Sequence, residues 1–68
     1  MKNIKINTEY IKLDQFLKWT NIASSGAEAK TLIRNGLVKV NGEVENRRGK
    51  KLRKNDTIEI NDNKFIIE

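Results

Sequence analysis

The apolar positions of the chain change period twice, and the changes mark its elements. From Asn3 to Asn7 polar and apolar residues alternate (Asn-Ile-Lys-Ile-Asn), which predicts a short strand. Leu13, Phe16, Leu17 and Thr20 then fall at i, i+3, i+4 and i+7, the apolar stripe of a short amphipathic helix. Asp14 and Lys18, four apart, are placed to pair on its outer face. Ser25-Gly26-Ala27-Glu28 has capping-box spacing, with Ser25 accepting from the Glu28 N–H and Glu28 reaching back; Ser24 is the alternative cap. The helix that follows turns Ala29, Leu32 and Ile33 inward, shows Lys30 and Arg34 outward, and stops at Gly36, where a left-handed cap costs least.

Beyond Gly36 the period becomes two. Leu37, Val38 and Val40 lead into Asn41-Gly42, a strong hairpin signal, and Glu43-Val44-Glu45 returns. Thr57-Ile58-Glu59-Ile60 alternates again, Asn61-Asp62-Asn63 turns, and Lys64-Phe65-Ile66-Ile67 closes the sheet. The expected class is α+β: two short N-terminal helices in a helix-turn-helix-like pair, packed on a small bent antiparallel sheet. Residues 1–68 are expected to form one domain, since a chain of this length has room for a single small core.

Composition narrows the function. There is no Cys and no His, so disulfides and ordinary zinc sites are excluded and no cofactor is expected. No apolar run is long enough for a signal peptide or a bilayer span, and a cytoplasmic protein is expected. Asp14, Glu28, Asp56 and Glu59 have structural explanations: a local pair, a cap, a turn and the polar face of a strand. With no His or Cys beside them and no Gly-rich phosphate loop, the chain is not expected to be an enzyme.

Charge says more. The formal net charge is +5, and six of the eight residues from Arg47 to Lys54 are basic: Arg47, Arg48, Lys50, Lys51, Arg53 and Lys54. The other sixty residues carry eight basic and nine acidic groups, so the excess sits in one segment. Leu52, the one large apolar residue there, is expected to pin the segment to the core. If the segment folds beside the helices, Lys12, Lys18, Lys30 and Arg34 join it in one surface that binds phosphates by displacing counterions. Trp19 and Tyr10 have faces able to stack on bases, but core packing is the expectation for both, with Trp19, off the helix stripe, partly exposed or at the core edge.

Taken together, Lys12-Leu13-Asp14-Gln15-Phe16-Leu17, Ser24-Ser25, Glu28-Ala29-Lys30, Leu32-Ile33, Gly36, Val38-Lys39-Val40-Asn41-Gly42 and Lys54-Asn55-Asp56-Thr57-Ile58 form a known pattern. Over roughly residues 11 to 60 the chain resembles the RNA-binding domain first described in ribosomal small-subunit protein four, the alpha-L motif. Its length and its Ser-Gly-Ala-Glu-Ala-Lys stretch resemble the stand-alone bacterial members of the YaaA/YbcJ type. The resemblance implies two helices on a strongly bent sheet, holding structured ribosomal or transfer RNA. Carried over by position, it nominates Lys12, Ser25, Lys30, Arg34, Lys39 and Asn41 as RNA-binding residues; the loop from Arg47 to Lys54 is added on charge alone. Two positions depart from the pattern. Gly26 stands where many relatives have Arg, and Asn55 where many have Gly, a place Asn can fill because it tolerates left-handed backbone. The expected function is a monomeric, non-catalytic module on ribosomal RNA, with a ribosomal subunit or precursor as partner, in large-subunit assembly or maintenance. The alternatives are a protein-interaction adaptor using the basic loop, or binding to transfer RNA or DNA.

Overall fold

A computed structural model describes residues 1–68. In chain order the elements are β1 (Lys2–Ile4), β2 (Ile11–Lys12), α1 (Leu13–Trp19), α2 (Gly26–Arg34), β3 (Val38–Val40), β4 (Glu43–Val44), β5 (Lys51–Leu52), β6 (Thr57–Ile60) and β7 (Asn63–Ile67). Five strands make one sheet in the order β1-β7-β6-β3-β4, and β2 pairs with β5 in a separate two-stranded sheet. The class is α+β, as expected, with two corrections. Two strands precede the helices, and the main sheet is mixed, because β1 runs parallel to β7 (Lys2 opposite Phe65, Ile4 opposite Ile67). The first strand also ends at Ile4, earlier than the alternation through Asn7 suggests.

Alternation along the strands decides which sheet face the helices cover. Val38, Val40, Ile58, Ile60, Phe65 and Ile67 are buried in one cluster with Leu13, Phe16, Leu17, Ala29 and Ile33 of the helices. The Phe16 and Phe65 rings meet edge to face at 5.4 Å. None of the 13 buried residues is polar, so the core holds together by apolar packing alone. Lys39, Glu59 and Lys64 lie in register on the opposite face.

Both helices end in the same motif. At α2 the N–H of Gly36 donates to Ile33 and that of Leu37 to Leu32, a Schellman cap with Gly36 at φ +73°. At α1, Asn21 (φ +64°) takes the glycine's place: its N–H donates to Lys18 and that of Ile22 to Leu17. At the start of α2, Ser25 Oγ accepts from the Glu28 N–H at 3.1 Å, as expected. The reciprocal half differs, because the Glu28 carboxylate accepts from the Ser24 hydroxyl at 2.8 Å.

Asn41 and Gly42 both have positive φ (+53° and +85°), the type I′ geometry that matches strand twist. Asn41 also ties this hairpin to the 53–56 turn. Its Oδ1 accepts from the Thr57 N–H at 2.9 Å, and its Nδ2 donates to Asp56 Oδ1 at 3.0 Å. The other Asp56 oxygen accepts from the Arg53 N–H at 2.8 Å, and Asn55 adopts φ +77° beside it. Replacing Asn41→Ala removes these bonds and strains a left-handed residue, at a cost of about 2 kcal/mol. We expect a fall in Tm of roughly 10 °C. RNA affinity measured well below that Tm should stay within about twofold of the parent, since the amide is committed within the fold. Thermal melts and binding isotherms on the same preparation check both.

Candidate nucleic-acid interface

The start of α1 has no side-chain cap. A helix begins with backbone N–H groups that lack intrahelical partners, and here the basic segment supplies the acceptors. The Leu13 N–H donates to the Lys50 carbonyl at 2.9 Å and the Asp14 N–H to the Arg48 carbonyl at 3.0 Å. Asp14 Oδ1 accepts from the Gln15 N–H at 2.8 Å, and the expected Asp14–Lys18 ion pair does not form. The capping is matched by strand pairing, with Ile11 opposite Leu52 and Lys12 opposite Lys51. Leu52 is fully buried, as its place in a basic run suggested. Residues 48–52 are therefore laid across the N-terminus of α1 by backbone bonds and one apolar anchor, which leaves the basic side chains facing out.

Two depressions follow from this placement. One of about 530 Å³ is lined by Arg47, Gly49, Lys50, Lys51 and Arg53, with no acidic residue. A second of about 270 Å³ brings Lys30, Ile33 and Arg34 of α2 together with Asn46 and Arg48. The loop and the outer face of α2 are thus one surface. Lys12 joins it through β2, directly across from Lys51, and like charges in opposed positions cost stability unless an anion neutralises them. Tyr10 organises the same edge: Lys51 Nζ sits 4.9 Å and Arg53 Cζ 5.6 Å from its ring centroid. Tyr10 is half-buried under these cations instead of lying in the core.

The molecule has one ion pair, Arg47 Nε to Glu45 Oε2 at 2.9 Å. The hydrogen bond from Arg47 holds the Glu45 carboxyl below the usual carboxylate range, and Glu45 raises Arg47 in return. Thirteen of the fourteen Lys and Arg side chains have no carboxylate within ion-pairing distance, although nine Asp and Glu are present. The surface carries cations that the fold itself does not neutralise.

Not every nominated residue reaches this surface. Lys54 is exposed in the adjoining turn, and Lys18 stands in the last turn of α1, at the end away from the loop. Ser25 is occupied as the α2 cap, and Asn41 as the lock between hairpin and turn. Lys39 alternates with buried Val38 and Val40, so it projects from the sheet face opposite the helices, in register with Glu59. Gly26 is exposed, with nothing within 4 Å of where a Cβ would stand, so the site has room for the longer side chain of the family pattern. No helix is long and apolar enough to cross a membrane.

Comparison with known proteins agrees with this geometry. The family model described as the S4 domain matches residues 4–68. A probable ribosome maturation protein, RlbA, of Bacillus subtilis (strain 168) is 47% identical over 57 residues, which cover 84% of this chain and 80% of that protein.

Proposed function

The chain belongs to the S4 domain family, and from that premise we propose that it is an RNA-binding module acting in ribosome maturation. The observation that carries the reading is the depression lined by the unpaired cations Lys50, Lys51 and Arg53, with Arg47 beside them paired to Glu45, continuous with Lys30 and Arg34 through Arg48. A surface of this kind binds by releasing counterions from phosphates, so its affinity falls steeply with salt. Its cations come from a loop, a two-stranded pair and a helix face, which suits the irregular backbone of a stem-loop or junction. Double-stranded RNA is recognised mainly through shape and phosphate contacts. Lys12, Lys30, Arg34, Arg48, Lys50, Lys51, Arg53 and Lys54 make those contacts; Ser25 and Asn41 act by positioning the elements that carry them.

The ligand in this reading is ribosomal RNA, and the partner is a large ribosomal subunit or its precursor in the cytoplasm. The relative's description as a probable ribosome maturation protein supports that setting. Residues 1–68 act as one monomeric domain without cofactor or catalysis. The carboxylates support the last point: Asp14, Glu28, Glu45 and Asp56 each accept a hydrogen bond from a neighbouring residue of the fold.

Sedimentation of tagged protein from lysate tests the proposal. Migration with a ribosomal subunit or precursor at low salt, and release at high salt, is the expected result. Protein that remains at the top of the gradient under both conditions would remove the ribosomal assignment.

A further inference from the structure

Trp19 is the chain's one tryptophan and is 54% exposed, whereas Phe16 and Leu17 just before it are fully buried. Its position off the apolar stripe places it in the last turn of α1, at the end opposite the loop-capped N-terminus. There it faces the edge of the main sheet. A cleft of about 300 Å³ is lined by Trp19 and Thr20, by Lys2, Asn3, Ile4 and Lys5, and by Phe65 of β7. Lys2 lies opposite Phe65 in register, on the sheet face that the helices cover, and lines the cleft together with the indole. One carboxylate is near: Glu68 Oε1 accepts from Asn3 Nδ2 at 3.1 Å. Lys2 and Lys5 have no ion-pair partner.

An exposed indole flanked by unpaired ammonium groups has the two parts of a single-strand nucleotide site. The ring face stacks on any base, and the cations hold the phosphates on either side. An apolar peptide would use the indole and leave both cations unanswered. We propose that Trp19, Lys2 and Lys5 bind an unpaired nucleotide that flanks the structured RNA element on the basic face. The inference rests on the RNA-binding reading above and adds a second contact to it. The seven residues of α1 span about 10 Å, roughly three nucleotide steps, so the two ends of the helix are within the reach of a short single strand.

Because Trp19 is the sole indole, its fluorescence reports the site directly. The probes are a blunt RNA hairpin and the same hairpin with six-uridine extensions at both ends, at low salt. The extended RNA should quench Trp19 and bind about tenfold more tightly than the blunt one. Trp19→Ala should abolish that gain and leave blunt-hairpin affinity unchanged, while Trp19→Phe keeps part of it. Lys2→Ala with Lys5→Ala should lower the salt slope by about 1.4 for the extended RNA only. If both RNAs bind the parent alike and Trp19→Ala alters neither affinity, the stacking site does not exist and the basic-face reading stands. If neither RNA binds, the RNA reading itself fails and the site falls with it.

Discussion

Replacing Lys50→Ala, Lys51→Ala, Arg53→Ala and Lys54→Ala together is expected to weaken RNA binding on the order of 100-fold near physiological salt. Three of the four line the cationic depression and Lys54 adjoins it, and none has a carboxylate partner whose loss would confuse the result. Four removed phosphate contacts should flatten the slope of log affinity against log salt by about three. The fold should tolerate the change, because the Lys50 contribution to α1 is its carbonyl, which alanine keeps. Removing the Lys51 charge, opposite Lys12, should even relieve some repulsion. Filter-binding titrations at several salt concentrations, beside thermal melts, separate the two effects. An unchanged affinity and slope with normal melting would show that the loop does not contact RNA.

Leu52→Ala is expected to have the largest effect on the fold. Leu52 is fully buried, and such truncations cost about 3–5 kcal/mol in transfer and cavity terms. A domain of this size holds little more than that in reserve. The damage also has a direction. Leu52 is the one apolar anchor of a strand only two residues long, so its loss frees β5 from β2 and withdraws the carbonyls that receive the Leu13 and Asp14 N–H groups. Stability and RNA affinity should fall together here, in contrast to the quadruple alanine variant, where affinity falls alone. Hydrogen exchange should show the Leu13 and Asp14 amides losing protection even in conditions where the rest of the molecule remains folded. A variant that melts within a few degrees of the parent would mean that the loop does not depend on Leu52.

These contrasts show which parts of the molecule its sequence announces. Local rules are legible: the α1 and α2 stripes, the Ser25 cap, the Asn41-Gly42 turn and the Gly36 stop each depend on residues within a few positions. Asn21 performs the same service as Gly36, but its residue type gives less signal, because Asn enters the left-handed region less freely than Gly. Leu52 was legible as an anchor because it is alone among cations. Its partner Ile11 is not, since a two-residue strand has no period to detect and the two lie forty-one positions apart. Alternation likewise shows that Lys2 and Ile4 share a face without revealing that β7 is the neighbour or that it runs parallel. At the candidate site, charge located the loop, and its contiguity with Lys30 and Arg34 needed the fold. Lys39, nominated by the resemblance, lies on the sheet face away from the core, a placement that Val38 and Val40 on either side of it already signal. For Trp19 the position off the stripe is the signal: it implies a partly exposed residue or one at the core edge, and Trp19 is exposed.

The parallel pairing of β1 with β7 has a consequence for the order of assembly. Residues 2–4 can gain their sheet partner only once residues 65–67 are present, whereas α1, α2 and the β3–β4 hairpin close over short loops. Short-range closure is fast and long-range closure is slow, so the helical pair and the hairpin can condense while the first strand still waits. During synthesis the edge of β6 that β7 will cover stays open until the last strand has been made. β7 thus has two partners of different reach: β6 across a short turn, and β1 only when residues 2–4 return to it.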